Sequence, residues 1–129
     1  MRLLGIDYGT KQVGVALSDE TGRFAMPLEV LENCGNLAEK IAKICLEKKV
    51  AKIVLGESKD YQGEANPIMK KVLSLKKDLK KLTNLPVELE PEFLTSAEAE
   101  RLQGKTDTLD ASAAALILKS YIDRHDSVA

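Results

Sequence analysis

The hydrophobic period of this chain switches near residue 36. Before that point apolar residues run together or alternate with period two, as in strands; after it they recur at helical spacing between short apolar runs. Leu3-Leu4-Gly5-Ile6-Asp7 is an apolar run closed by an acid and reads as a buried strand. Val13, Val15 and Leu17 alternate with smaller or polar residues and suggest a second strand, ended by the turn Asp19-Glu20-Thr21-Gly22. Phe24 to Leu31 is a third extended segment, and Pro27 places it at a sheet edge, because proline cannot donate to a central ladder. The first third therefore reads as an antiparallel meander.

Leu37, Ile41 and Ile44 then mark a helix with Asn36 as its N-cap. Lys52-Ile53-Val54-Leu55-Gly56 is a short buried strand, and a loop from Glu57 to Ala65 follows. Asn66-Pro67 is an N-cap followed by a first-turn proline. Ile68, Val72, Leu75, Leu79 and Leu82 form the apolar stripe of a long amphipathic helix. Val87 and Leu89 alternate with Glu88 and Glu90 in a fifth strand. Thr95-Ser96-Ala97-Glu98 resembles a capping box opening a short helix that Gly104 ends. A last helix runs from about Asp107 to Arg124, with Ala111, Ala114, Ala115, Leu118 and Ile122 on its buried side, before a tail from His125 that is expected to fray. The order is βββαβαβαα. Helical crossovers imply parallel pairing, so the expectation is an α/β fold with a mixed five-stranded sheet flanked by helices. With 129 residues and no linker or repeat, residues 1–129 are expected to form one domain.

Composition narrows the function classes. The two cysteines, Cys34 and Cys45, stand in no CxxC or Cys/His pattern, so they imply neither zinc nor a disulfide and read as small, partly buried hydrophobes in a reducing cytosol. No apolar run approaches the roughly 18 residues of a membrane span, and no signal peptide is evident, so a soluble, cytoplasmic protein is expected. A net charge of −1 argues against a protein that merely coats nucleic acid by charge, though less against a nuclease whose active site is itself acidic.

Three acidic positions could carry chemistry. Asp7 closes the first strand at the sheet's carboxyl edge, where α/β proteins place ligands, and Gly9 with the residues after it could bring backbone N–H groups to a phosphate. The same residues suit a hairpin turn, with glycine supplying a positive φ and Asp7 bonding the turn. Asp110 lies in the first turn of the alanine-rich last helix. It could approach Asp7, since the small residues let that helix lie close to the sheet, or it could only favour the helix dipole at N3 behind an Asp107 cap. Glu88, Glu90 and Glu92 share one strand face, which also suits a plain solvated face; Glu92 stands out because it lies where the strand gives way to the Thr95-Ser96 helix start, a place suited to phosphate. Three such carboxylates would raise one another's pKa unless cations joined them, and two Mg²⁺ or Mn²⁺ ions would also clamp a phosphodiester. Lys70, Lys71, Lys76, Lys77, Lys80 and Lys81 cover the polar side of the long helix, as a solvated face or a nucleic-acid contact, with Lys11 nearer the acids. Tyr8 and Tyr121 read as packing residues and His125 as inert.

Leu4-Gly5-Ile6-Asp7-Tyr8-Gly9-Thr10-Lys11, with Val13-Gly14-Val15-Ala16-Leu17-Ser18-Asp19, closely resembles the opening of the YqgF (RuvX) family of ribonuclease H-like proteins, described as Holliday junction resolvases or pre-16S ribosomal RNA nucleases. Ile53-Val54-Leu55-Gly56, Leu94-Thr95-Ser96-Ala97-Glu98 and Asp110-Ala111-Ser112-Ala113-Ala114 extend the resemblance over nearly the whole chain. It implies a sheet of order 3-2-1-4-5 with strand 2 antiparallel. It also implies catalytic, metal-binding acids at Asp7, Glu92 and Asp110, with Gly9, Thr10, Lys11, Thr95 and Ser96 as substrate contacts. The expected chemistry is hydrolysis of phosphodiesters in structured RNA or branched DNA with Mg²⁺ or Mn²⁺ in a two-metal site, by a monomer or homodimer. Departures are Pro91-Glu92-Phe93 in place of the family's Asp-Glu-Arg, Gln12 where many members carry arginine, a loop before the last helix shortened to about Gly104-Lys105-Thr106, and the polar Glu57-Ser58-Lys59-Asp60. Two alternatives accompany this reading: a catalytically inactive module binding RNA or the ribosome, and, because Asp-x-Gly-Thr also resembles the phosphate motif of actin-like ATPases, an ATP-binding half-domain.

Overall fold

The computed structural model describes residues 1–9, 11–57, 67–91 and 108–126. Five strands, β1 (Leu3–Asp7), β2 (Gln12–Ser18), β3 (Ala25–Glu32), β4 (Lys52–Glu57) and β5 (Val87–Pro91), form one sheet of order β3-β2-β1-β4-β5. The first three pair antiparallel, and β1–β4 and β4–β5 pair parallel. Helices α1 (Leu37–Glu47) and α2 (Pro67–Thr83) cover one face, and α3 (Thr108–Asp126) covers the other. The sheet order and strand directions are those expected. β3 lies at the edge and carries Pro27, opposite Ala16, where the register shifts between Val15 and Ala16.

The two faces of β1 are different in kind. Leu4 and Ile6 point into the larger core with Val13, Val15, Ile53 and Leu55 of the neighbouring strands and Ile41, Val72 and Leu79 of the helices. The opposite face presents Leu3, Gly5 and Asp7, flanked by Gly14, Ala16 and Ser18 of β2. β2 is buried on this side as well, which its alternation of large and small residues did not suggest; the small residues are there because α3 lies close over them. The contact is tightest at Gly5, where a Cβ would stand 2.9 Å from both the Ala114 carbonyl oxygen and Leu118 Cβ. Ser18 is buried and used: it accepts the Leu3 N–H at 2.7 Å and donates to the Asp19 carbonyl.

Local signals hold to different extents. Asn36 occupies the N-cap of α1 but makes no side-chain cap bond. α2 begins at Pro67. Its stripe buries Val72, Leu75 and Leu79, but Leu82 in the last turn is 51% exposed. On α3 the buried row is Ala114, Ile117, Leu118, Tyr121 and Ile122, with Ala115 only partly covered. Gly22 takes φ 73° in the predicted turn, which Asp19 closes by accepting the N–H groups of Arg23 and Phe24. The capping box at Thr95–Glu98, the Gly104 stop and the loop from Ser58 to Ala65 lie outside the described residues. No helix among the described residues is long and apolar enough to cross a membrane.

Candidate active site

Strands β1, β3, β4 and β5 run in one direction, so their carboxyl ends share one edge of the sheet. Asp7 ends β1 there, centrally, paired with Gly14 across β2. It is a partly buried residue on the α3 face.

α3 runs antiparallel to β1. Near its C-terminal end the Tyr121 hydroxyl accepts the Lys52 ammonium at 3.0 Å, at the amino end of β4, while Ala114 lies against Gly5. From Ala114 back to Asp110 is four residues, about 6 Å along the helix axis. From Gly5 on to Asp7 is two residues, about 6–7 Å along the strand. Because Gly5 also faces Leu118, the run back to Asp110 spans about 6–12 Å along the helix, and both runs lead toward the carboxyl edge. The N-terminal end of α3, with the partial positive charge of its helix dipole, lies toward this edge too.

The turn after Asp7 is clamped. Asn33, at the end of β3, donates its side-chain amide to the Gly9 carbonyl at 2.7 Å and its backbone N–H to the Lys11 carbonyl at 2.9 Å. Gly9 is required here for space and not, as expected, for a positive φ: among the described glycines only Gly22 has one, whereas a Cβ on Gly9 would sit 2.4 Å from the Gln12 carbonyl oxygen. Lys11 is exposed beside the turn. Asn33 was missed in the sequence, where an asparagine ending a strand signals no more than a turn.

The acidic face of β5 is not solvated throughout. Glu90 is 2% exposed and accepts Arg124 Nη1 at 3.0 and 3.1 Å and the Ser120 hydroxyl at 3.0 Å. Glu88 accepts the Tyr121 hydroxyl and faces the Lys52 ammonium at 3.6 Å. The Tyr121 hydrogen bond, then the Lys52 charge, hold the Glu88 carboxyl below its ordinary value; burial, then the bond to Glu88, raise the Tyr121 hydroxyl, and the bond to Tyr121 raises Lys52. His125 stacks on Tyr121 at 4.0 Å between ring centroids. Both acids of β5 therefore fasten it to α3, through partners 30 or more residues away that no local pattern reveals.

Of the expected site residues, Thr10, Glu92, Thr95 and Ser96 lie outside the described residues. Among the described residues no group of three His, Cys, Asp or Glu side chains is gathered closely enough to hold a metal. Oxygen donors of the Asp and Glu type are nevertheless the set that suits Mg²⁺ or Mn²⁺ and not zinc.

Comparison with known proteins agrees with this architecture. The RuvX family profile, described as Holliday junction resolvase, matches residues 1–124. The chain is 37% identical to a protein of Streptococcus agalactiae named "Putative pre-16S rRNA nuclease", over 96% of this chain and 99% of that one. A protein of the same name from Desulforudis audaxviator is 38% identical over 98% and 97%. Among solved structures, Thermus thermophilus RuvC in complex with Holliday junction substrate superposes with a TM-score of 0.67 at 18% identity, over 98% of this chain and 96% of that one. The fowlpox virus Holliday junction resolvase gives 0.59 at 17% identity, over 96% and 99%. These likenesses and the sheet order show the ribonuclease H-like fold.

Proposed function

The chain belongs to the RuvX family, and from that premise we propose that it is a divalent-metal-dependent endonuclease acting on structured nucleic acid, with Asp7, Glu92 and Asp110 as its catalytic acids. The observation that carries this reading is the close approach of α3 to β1 at Gly5, from which β1 runs on to Asp7 and α3 runs back toward its N-terminal turn in the same direction, toward the carboxyl edge.

Asp7, Glu92 and Asp110 would hold Mg²⁺ or Mn²⁺. When bound in pairs, such ions lower the pKa of an attacking water and stabilise the leaving oxygen of a phosphodiester. The protein's own contribution is position and charge. The ladders to β2 and β4 fix Asp7. The Gly5–Ala114 contact fixes the depth of α3, and the Glu90–Arg124 and Glu88–Tyr121 contacts fix it to β5. Asn33 holds the Gly9–Lys11 turn so that its backbone can face a phosphate, with Lys11 supplying a positive charge. Thr10, Thr95 and Ser96 are assigned as hydroxyl contacts to the same phosphate.

The relatives' name points to pre-16S ribosomal RNA and the family description to four-way junctions; both present a phosphodiester in a folded, branched or looped context. Pro91 and Phe93, in place of the Asp and Arg of the family pattern, favour a second reading in which the fold binds RNA without cutting it. Cleavage of structured RNA, single-stranded RNA, duplex DNA and four-way junctions in Mn²⁺ and Mg²⁺ separates the two. Metal-dependent cutting that Asp7→Asn abolishes is expected. RNA binding by folded protein with no cutting on any substrate selects the binding module.

A further inference from the structure

A cleft of about 220 Å³ opens on the opposite side of the sheet from α3, at the same carboxyl edge as Asp7. Tyr8, Asn33, Ala38, Lys71, Ser74 and Asp78 line it, between the end of β1, the start of α1 and the outer turns of α2. The volume is below the roughly 300 Å³ at which pockets for whole drug-sized ligands begin, so it takes one ring system. The small residues Gly35, Ala38 and Ser74 keep it open, and Tyr8 supplies an aromatic side chain partly packed on the core. The polar groups include donors (Lys71, Ser74, Asn33) and an acceptor-only carboxylate (Asp78). A phosphate would not tolerate the carboxylate. A nucleobase, with donor and acceptor edges around a flat apolar face, matches all of them, since unpaired bases are read by stacking on aromatic side chains and by hydrogen bonds to their edges.

The cleft is also placed to receive one. Asp7 and Tyr8 are successive residues, about 3.8 Å apart at Cα, and successive side chains of a strand diverge to opposite faces. A nucleic-acid strand with its phosphodiester at Asp7 therefore has this cleft across the sheet edge as its neighbour, with Lys71 exposed on the flank. Asn33 belongs to both places: it clamps the Gly9 turn and lines the cleft.

We propose that this cleft is a subsite for one unpaired nucleobase next to the phosphodiester that Asp7 addresses. The inference rests on the nuclease reading for the strand's course, but its test is a binding measurement. The full chain is titrated, in Ca²⁺, into short single-stranded RNAs carrying one abasic site moved along the sequence. One position should weaken binding by about tenfold, the size of a lost base stack, and the others by much less. Ser74→Phe, at an exposed position of α2, fills the cleft; it should bind intact RNA about as weakly as the wild type binds the critical abasic RNA, and lose little more on that RNA. Ser74→Ala removes one donor but leaves the cleft open, so it should weaken binding far less than Ser74→Phe. An abasic scan with no privileged position overturns the proposal even if Ser74→Phe fails to fold. Unchanged affinity of folded Ser74→Phe for intact RNA overturns it too. If the wild-type protein also cuts nucleic acid in Mn²⁺, such a result removes the subsite alone and leaves the nuclease reading in place; failure to bind any RNA or junction removes both.

Discussion

Gly5→Ala places a methyl group where the structure has no room for one. The new Cβ would stand 2.9 Å from the Ala114 carbonyl oxygen, 2.9 Å from Leu118 Cβ and 3.5 Å from Leu118 Cδ2. Carbon contacts are most favourable at about 3.5–4.0 Å, so α3 must retreat by roughly 0.5–1 Å or tilt. Both clashing atoms, a backbone oxygen and a Cβ, are unable to move aside alone, and Leu118 Cδ2 is in ordinary contact. Overpacking of this kind costs about 1–3 kcal/mol. For a chain of this length about 4 °C of melting temperature accompanies each kcal/mol, so a fall of roughly 4–12 °C is expected by circular dichroism, with the fold retained. The effect on function should be larger than the effect on stability. The same retreat moves Asp110 away from Asp7, and a displacement of about 1 Å in a catalytic constellation costs on the order of a hundredfold in rate. Cleavage measured well below the new melting temperature should therefore fall about a hundredfold. An unchanged melting temperature would refute the close approach. A lowered one with full activity would refute the claim that this contact sets the distance between the two acids.

Arg124→Ala strips the buried Glu90 carboxylate of its two charged hydrogen bonds and should cost about 1.5–3 kcal/mol in urea unfolding; the double variant Glu90→Leu with Arg124→Leu should recover most of it, and a loss equal to the single variant's would contradict the pairing. The hydrogen bonds from Thr21, Phe24 and Arg23 hold the Asp19 carboxyl well below the ordinary carboxylate range, so its contribution is fully present above about pH 4 and is lost as pH falls through its folded value. The urea midpoint of Asp19→Asn should therefore lie furthest below that of the wild type near neutrality and converge with it toward pH 2; a gap independent of pH would refute the turn-closing role. Burial pushes the Cys45 thiol up to about 11 while Cys34 is exposed, so an aromatic disulfide reagent should titrate one thiol quickly under native conditions and the second only on unfolding.

The parts of the fold legible in the sequence are those set by local pattern. Leu3–Asp7 reads as a buried strand because its apolar residues are contiguous, Pro27 puts β3 at an edge because it lacks a donor, and the helical spacings of Leu37–Ile44 and Ile68–Leu79 give α1 and α2. The mixed five-stranded character of the sheet followed from the switch of period together with the rule that helical crossovers join parallel strands, whereas its order came with the family resemblance. What depended on partners distant in sequence was not legible. Gly14, Ala16 and Ser18 read as the polar side of β2, yet they are buried because α3 returns over them nearly 100 residues later. Glu90 is indistinguishable from Glu88 and Glu92 by alternation, and only the fold brings Arg124 to it. Gly9 shows the limit of a residue-type rule: a glycine after a strand suggests a positive φ, but here the constraint is the Gln12 carbonyl packed against its Cα. For the site, the first motif marked Asp7 and the small residues of the last helix suggested an approach by Asp110; the proposed pairing of the two rests on the depth of α3, which the missing side chain of Gly5 allows.

If Asp7 and Asp110 hold one metal centre, as proposed, Mn²⁺ binding depends on both. Electron paramagnetic resonance titration of the wild-type chain, Asp7→Asn and Asp110→Asn, without nucleic acid, should show bound Mn²⁺ for the wild type and a loss of about tenfold or more in affinity for each variant. The double variant should lose little beyond either single one, as expected for ligands of a shared centre. Equal Mn²⁺ affinity for folded wild-type and variant proteins would contradict the account, leaving Asp7 as a turn residue and Asp110 as a helix-dipole partner.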